Sequence, residues 1–484
     1  MNLKVISRNV GYALLVSALF MFLSIIVSVL SGNDSALAAL VISFTITFIF
    51  GAFPFIFVRK TSGITLKDGF MIIFLSWTLS FIFGMLPYVL WGGPFTVANA
   101  WFESVSGFTT TGSTILEDVE SLPKSLQFWR CSTHFIGGLG VVVFLLLIIP
   151  SSSQIRFRLT NMELSSLSKE GYRSQSNKTV MIFTSVYLGL VALSSVIYLI
   201  GGMSLFDAVC HAFSVCSTGG FSNNNLSIGG YNSSFISIAT IVLMLLSSIH
   251  FGIIYMTVVN RSIKPLKNPV LRFYLVSVLI VSIAVALSLK INGTAAGWGQ
   301  ALMDGSFQVV SYASTTGFAT ADNGLWPMFP CILLMYMGVQ CGMAGSTTGG
   351  VKSDRMLLLY KAIRRQIRRQ IYPTSVFGLK MGNRTMQDEE IYPHILYIAV
   401  FFSLIIISTM LCMLFGQDVH CAIAGTIASL GNVGPAFGEL GTYGNYSHIP
   451  TMVKFIFTAD MFMGRIEIYP VLAALSMMIP GRNR

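Results

Sequence analysis

Four short stretches rich in Thr, Ser, Asn and Gly interrupt otherwise apolar sequence, and their residue types suit one chemistry, the offering of backbone carbonyls to a cation. They are Thr109-Thr110-Thr111-Gly112-Ser113, Cys216-Ser217-Thr218-Gly219-Gly220, Ser314-Thr315-Thr316-Gly317-Phe318 and, more distantly, Gly431-Asn432-Val433-Gly434-Pro435. Aligned on the third residue of each triplet, they put Gly at 112, 219, 317 and 434, with spacings of 107, 98 and 117 residues. A unit of roughly a hundred residues is therefore repeated four times. Glycine permits the φ values that aim successive carbonyls the same way, and rings of carbonyls replace the water shell of a dehydrated monovalent cation. The expected filter is Thr110, Thr111 and Gly112; Ser217, Thr218 and Gly219; Thr315, Thr316 and Gly317; Asn432, Val433 and Gly434. The ion would sit against the carbonyls of Thr110, Thr111, Ser217, Thr218, Thr315, Thr316, Asn432 and Val433. The bland alternative is four unrelated Gly turns or helix-packing glycines.

A second polar stretch, Cys341-Gly342-Met343-Ala344-Gly345-Ser346-Thr347-Thr348-Gly349-Gly350, breaks an apolar segment whose flanks, 326–340 and 353–362, both read as helix. Each Gly costs a helix about 1 kcal/mol relative to Ala, so residues 341–350 are expected to form an intramembrane loop. Gly345, Ser346, Thr347, Thr348, Gly349 and Gly350 are its candidate gating residues, against the alternative of a kinked helix with close neighbours. Arg465 falls in the last apolar span, Met461–Met478, where an uncompensated Arg costs about 2.5–3.5 kcal/mol. It is expected to point into the ion path or toward carbonyls of the broken loop and to raise the barrier for a cation; snorkelling to the inner surface is the alternative. Glu467, two residues on, is expected to face away. The basic run Arg364-Arg365-Gln366-Ile367-Arg368-Arg369 suits anionic lipid heads or a cytosolic partner.

Something must hold such loops at membrane depth. Of 484 residues, 54% are hydrophobic and only 10% charged, and apolar stretches of about 20 residues, the length that crosses ~30 Å of hydrocarbon, recur along the chain. This is the pattern of an all-α polytopic membrane protein. The net charge of +11 is distributed in alternate loops, the positive-inside pattern, rather than as a nucleic-acid patch. Both termini are accordingly expected in the cytoplasm. Seven scattered Cys and six His form no C-x-x-C or H-E-x-x-H motif, which gives disulfides, zinc and metalloprotease chemistry no support. No phosphate-binding Gly loop is present, and a membrane-embedded enzyme lacks any nucleophile–base pair. The N-terminal apolar run Gly11–Leu30 is longer than a signal-peptide core and reads as a retained first span.

Two leading spans (about 11–30 and 36–58) precede four units, each a span, a half-length helix, a Gly loop and a second span. The expected divisions are 1–66 for the leading pair, then 67–170, 171–266, 267–385 with a broken second span, and 386–484, which makes ten crossings. Half-length helices of about 12 residues reach roughly 18 Å. Asn99, Asp207, Asp304 and Asp418 are placed near their starts, where amides and acids cap free N–H groups. Trp77, Trp91, Trp101 and Trp129 suit the interfacial belts.

The four loops, the Gly-Ser-Thr-Thr-Gly-Gly break and Gly464-Arg465-Ile466-Glu467 together resemble the Trk/Ktr/HKT superfamily of cation transporters over essentially the whole chain. The two extra leading spans are similar to those in the membrane subunit of bacterial Trk potassium uptake systems. The resemblance implies four membrane–pore–membrane repeats around a pseudo-fourfold pore in a bacterial inner membrane. It also implies K⁺ rather than Na⁺ preference from Gly112, a gate at 342–350, a barrier at Arg465, and no cofactor on this chain. It further implies a homodimer controlled by a cytosolic ring of TrkA-like subunits that bind nucleotides such as NAD or ATP. The fourth loop, Asn432-Val433-Gly434-Pro435, departs from T-T-G-F, so the ring is not truly fourfold. An alternating-access symporter coupled to H⁺ or Na⁺ is the competing function; it predicts inverted repeats and membrane acids, whereas these repeats share one orientation.

Overall fold

Lipid-facing helices should be apolar outward and small or polar inward, and the two leading helices follow that rule in a computed structural model that describes residues 2–58, 65–140, 176–375, 377–382 and 384–478. Helix α1 (Leu3–Leu30) packs on α2 (Leu37–Phe57) where Gly11 meets the backbone of Gly51. Ser17, Ser24, Ser43 and Thr47 are buried, each with its hydroxyl returned to the carbonyl four residues back. Phe48, Phe50, Phe53, Ile56 and Phe57 lie exposed on the outer side, an apolar surface suited to lipid.

The spans that follow are α3 (Leu66–Gly84) continued by α4 (Leu86–Trp91), α6 (Lys124–Leu139), α7 (Ser176–Ile200), α11 (Pro269–Ile291) and α15 (Asp388–Leu414). Between them sit four half-length helices, α5 (Val97–Phe108), α8 (Leu205–Ser217), α12 (Trp298–Ala313) and α16 (Val419–Gly431), of 12, 13, 16 and 13 residues. Three second spans are broken. Helices α9 (Ser234–Ser248) and α10 (Phe251–Val259) meet at 101°, and α17 (Thr451–Arg465) and α18 (Ile468–Met478) at 113°. Helices α13 (Met328–Gln340) and α14 (Ser353–Ile371) are separated by the Gly-rich stretch. Among the described residues six helical spans run unbroken, and counting each bent pair as one gives eight. Ten crossings require adding α13–α14 and continuing α6 toward 149, which lies outside the described residues. So do Arg59, Lys60, the basic residues from Arg156 to Arg173, and Arg482 and Arg484.

The structure departs from the sequence reading in four local respects. The last apolar span, Met461–Met478, is not one continuous helix: Arg465 ends α17, and Glu467 stands at the break with φ 63°. A short antiparallel hairpin, β1 (Leu379–Met381) with β2 (Arg384–Met386), follows α14 in an otherwise helical chain. Of the expected cap residues, only Asp418 caps a helix itself, accepting from His420 N at 2.9 Å. Thr96 and Ser204 cap α5 and α8, with Asn99 and Asp207 one turn in, while Asp304 lies inside α12 and bonds Thr320. Trp77 and Trp129 are buried rather than interfacial, and Trp129 Nε1 donates to Gly84 O at 3.2 Å.

Candidate ion pathway: four loops and the break beneath them

Each half-length helix ends in the same way. The N–H groups of Thr110, Thr218, Thr315 and Asn432 bond the carbonyls of Gly107, Val215, Tyr312 and Ser429, three residues back, at 3.0–3.3 Å. Those of Thr111, Gly219, Thr316 and Val433 bond Ser106, Ser214, Ser311 and Ala428, five back, at 2.8–2.9 Å. These paired bonds are a Schellman cap, which satisfies orphan carbonyls at a helix end and needs a left-handed residue. That residue is usually Gly, yet here it is Thr110 (φ 52°), Thr218 (58°), Thr315 (55°) and Asn432 (54°). A left-handed L-residue costs about 1–2 kcal/mol, and a β-branched one is a genuine outlier. Strain repeated at four equivalent sites points to a function that needs it.

Two residues further on stand Gly112 (φ 84°), Gly220 (82°), Gly317 (78°) and Gly434 (93°). A Cβ on Gly112 would strike Gly219 O, one on Gly220 Thr316 O, one on Gly317 Val433 O, and one on Gly434 Thr111 O. The order closes on itself, loop one to two to three to four and back to one, so the four turns converge as a ring. The second loop's place in that ring corrects the alignment by one residue. Its equivalent glycine is Gly220, not Gly219, and its equivalent of Thr110–Thr111 is Thr218–Gly219, not Ser217–Thr218. The physical reason is the helix cap: α8 keeps Ser217 as its last helical residue and turns left-handed at Thr218. Only one Thr then separates helix from glycines, where loop one has three and loop three has two after a Ser. Gly219 instead packs against the His134 ring.

Above the ring, a cavity of about 80 Å³ touches all four glycines, 112, 220, 317 and 434, and is walled by Arg130, Asn225 and Tyr443 among others. Below it lies the stretch 341–352. Thr347 O accepts from Thr218 Oγ1 at 3.0 Å and from Arg465 Nη1, while Arg465 Nη2 donates to Gly137 O at 3.1 Å. Thr347 Oγ1 donates to Cys216 O at 3.0 Å, and Gly349 N donates to Thr315 Oγ1 at 3.2 Å. The break thus hangs from the left-handed threonines of loops two and three, and Arg465 reaches across to a glycine of α6. Thr110 Oγ1, the same position in loop one, is buried with no partner among the described residues. Gly345, Ser346, Thr348 and Gly350 complete a stretch that is buried throughout.

One participant escaped the sequence reading. Glu467 is directed to two basic residues the sequence reading did not single out, accepting from Lys352 at 3.3 Å and Arg355 at 2.7 Å, all three buried. Arg355 also lies 4.0 Å over the Tyr397 ring. The helix ends at Arg465, so helical spacing does not set the direction of Glu467. The Gly464-Arg-Ile-Glu467 density of charge in an apolar span was the available signal. By contrast, Gly137 and Gly138 do what packing glycines do, bringing α6 against Phe108 O and Ser217.

Repeated re-entrant half-helices whose capped loops converge beneath an open vestibule define a class: a polytopic helical membrane protein of pore-loop architecture. The family model described as TrkH, cation transport protein, matches residues 36–483, and the chain belongs to that family. It is 30% identical over 484 residues to the Trk system potassium uptake protein TrkH of Salmonella typhimurium, covering 98% of each. Against Trk system potassium uptake protein TrkG of Escherichia coli it is 30% identical over 489 residues, again covering 98% of each. The crystal structure of the potassium transporter TrkH from Vibrio parahaemolyticus superposes with a TM-score of 0.89 at 27% identity, covering all of both chains.

Proposed function

We propose that this chain conducts potassium ions through the axis of the four-loop ring, as the membrane subunit of an uptake system in a bacterial inner membrane. The observation that carries the reading is the closed cyclic order in which each ring glycine abuts the next loop's carbonyl. Potassium is the cargo named for the relatives of full-length similarity. In this reading the carbonyls of Thr110, Thr111, Thr218, Gly219, Thr315, Thr316, Asn432 and Val433 replace water around the ion. The stretch 341–350 is the gate, held shut by Arg465, whose charge opposes a cation at that depth. The exposed basic face of α14, with Arg364, Arg368 and Arg369, suits anionic lipid heads or a nucleotide-binding TrkA-like ring, and two copies of the chain form the working unit. The deciding experiment is uptake of K⁺ against Na⁺ into liposomes holding the purified protein. Gly112→Ser, which drives a side chain into Gly219 O, raises Na⁺ uptake relative to K⁺. An unchanged ratio at equal protein overturns the filter.

A second reading, coupling to protons, has one observation in its favour. Asp460 is buried in α17; one carboxylate oxygen accepts from Ser408 Oγ at 2.8 Å and the other has no partner among the described residues. A buried acid inside a span is costly and marks proton pathways in many transporters. Acidification of the liposome lumen that tracks K⁺ entry and vanishes in Asp460→Asn would establish it; K⁺ entry with no proton movement would dismiss it.

A further inference from the structure

The ring register exposes a second alignment, nine residues before each ring glycine and inside each half-length helix: Glu103, His211, Gln308 and Gly425. In three repeats this side chain does the same job. Glu103 accepts from Thr114 Oγ1 at 3.0 Å and from Ile115 N at 3.0 Å. His211 Nε2 meets Ser222 Oγ at 2.9 Å, and its Nδ1 lies 2.8 Å from Asp207 O. A carbonyl only accepts, so Nδ1 carries the hydrogen, and in the neutral ring Nε2 accepts a hydrogen bond from the Ser222 hydroxyl. Gln308 Nε2 donates to Ala321 O at 3.2 Å. Thr114, Ile115, Ser222 and Ala321 all belong to the strand that leaves its ring glycine toward the vestibule. All three side chains are fully buried. In the fourth repeat Gly425 leaves room for the Phe457 ring, and the exit strand is held from outside by Tyr446 on Gly434 O at 2.9 Å and Tyr312 on Ala436 O at 2.8 Å.

The first clasp is charged and extends to its neighbour. Arg130 Nε donates to Glu103 at 2.8 Å, Nη2 to Thr114 Oγ1 at 3.3 Å and Nη1 to Ser222 O at 3.4 Å, and the guanidinium lies 4.0 Å over the Phe221 ring. One buried cation therefore touches the exit strands of loops one and two. A charge-assisted bond is worth more than a neutral one, and a buried polar group left unpaired costs more still. The clasps thus grade from ionic, through imidazole and amide, to none.

We propose that Glu103, His211 and Gln308 are positioning residues that set ion discrimination by fixing the exit strand of their own loop, and that Arg130 ties the first two strands into one unit. The inference rests on the filter reading above. Its test is the K⁺-to-Na⁺ uptake ratio in liposomes for Gly112→Ala, Glu103→Gln, Glu103→Gln with Arg130→Gln, and Gln308→Met. Gly112→Ala lowers the ratio if the ring is the filter. Glu103→Gln lowers it ~10-fold, the size of a lost charge-assisted bond. The double variant restores electroneutrality, but its ratio stays low because a neutral amide with one acceptor oxygen replaces the two carboxylate oxygens and the Arg130 tie that held the strand. Gln308→Met keeps shape and adds no charge, and lowers the ratio ~3-fold for a neutral bond, with unfolding temperature close to that of the parent. Should the charged variants fail to fold, Gln308→Met decides alone. If Gly112→Ala shifts the ratio while the double variant and Gln308→Met keep the parent value, the clasp is wrong and the filter stands. If Gly112→Ala leaves the ratio intact, the filter itself is wrong and the clasp falls with it.

Discussion

Ser314-Thr315-Thr316-Gly317 in the ring and Ser346-Thr347-Thr348-Gly349 in the break are the same four residue types in the same order. Both bridge their first and third hydroxyls, at 2.7 and 2.8 Å, and both return the Ser hydroxyl to the carbonyl three residues back. Yet Thr315 is left-handed and Thr347 is not. The difference lies in what precedes them. Thr315 follows a helix of 16 residues whose last carbonyls need donors, and the Schellman cap forces its φ. Ser346 follows only the turn from Met343, where Gly345 takes the positive φ instead. The ring loop is therefore held largely by its own helix, and the break largely by groups from other elements: Thr218, Thr315, Arg465 and the ion pairs of Glu467. A loop anchored from within stays put; one anchored from outside can be released.

Removing an outside anchor should cost most. Glu467→Gln leaves Lys352 and Arg355 buried without their counter-charge, and breaking a buried pair costs about 3 kcal/mol or more. The expected result is a markedly lower unfolding temperature in detergent, together with raised uptake as the break loosens. An unfolding temperature equal to the parent's would mean that the break is not held by this pair. Next comes the contrast between the two homologous glycines. Gly317→Ser meets Val433 O at a positive φ and should lower K⁺ over Na⁺ preference ~10-fold, since ~1.4 kcal/mol of lost ion coordination is tenfold. Gly349 has an ordinary φ and its added Cβ would meet Gly431 O at 2.6 Å, so Gly349→Ala should change the rate and leave the ratio alone. Equal ratios in the two variants would erase the distinction drawn here. Arg465→Ala frees Thr347 O of its cation and should raise total uptake several-fold at unchanged ratio, about 1 kcal/mol of barrier for a rim of charge-assisted bonds. Unchanged or lower uptake at equal expression removes Arg465 from the gate.

How far residues alone carried this picture depends on whether local spacing or tertiary partners decided the outcome. Apolar runs and half-length segments announced the spans and re-entrant helices because their length is set by the membrane. The Gly-rich break at 341–350 was legible for the same local reason. Register in loop two was not, because Cys216-Ser217-Thr218-Gly219-Gly220 offers two glycines and only the αL turn at Thr218 chooses between them. The ion pairs of Glu467 were not legible because a helix period was extended past a break and because Lys352 and Arg355 lie more than a hundred residues away. Trp129 was misassigned because its indole N–H finds Gly84 O inside the fold, a partner no linear pattern names. Glu103, His211 and Gln308 share a role that appears only once the ring glycines are in true register.

The smallest effect tests the outer mouth, where the strands of loops one and two are laced together. Asp118 Oδ1 accepts from Asn225 Nδ2 at 2.8 Å and from the backbone of Glu120 at 3.0 Å and Ser121 at 3.3 Å, while Val119 N donates to Asn225 Oδ1 at 2.7 Å. The Asn225 amide, with help from those two N–H groups, holds the Asp118 carboxyl below its usual value of 3.8. A carboxyl depressed on folding lends stability that is fully present above the unfolded value and is lost as pH falls through the folded one. The lacing should therefore be constant from pH 8 to pH 5 and weaken only below about pH 4. In Asp118→Asn the unfolding temperature should sit slightly below the parent's at pH 7, and the gap should close on acidification toward pH 3. A gap that persists undiminished at pH 3 would assign the loss to side-chain shape rather than to the carboxylate.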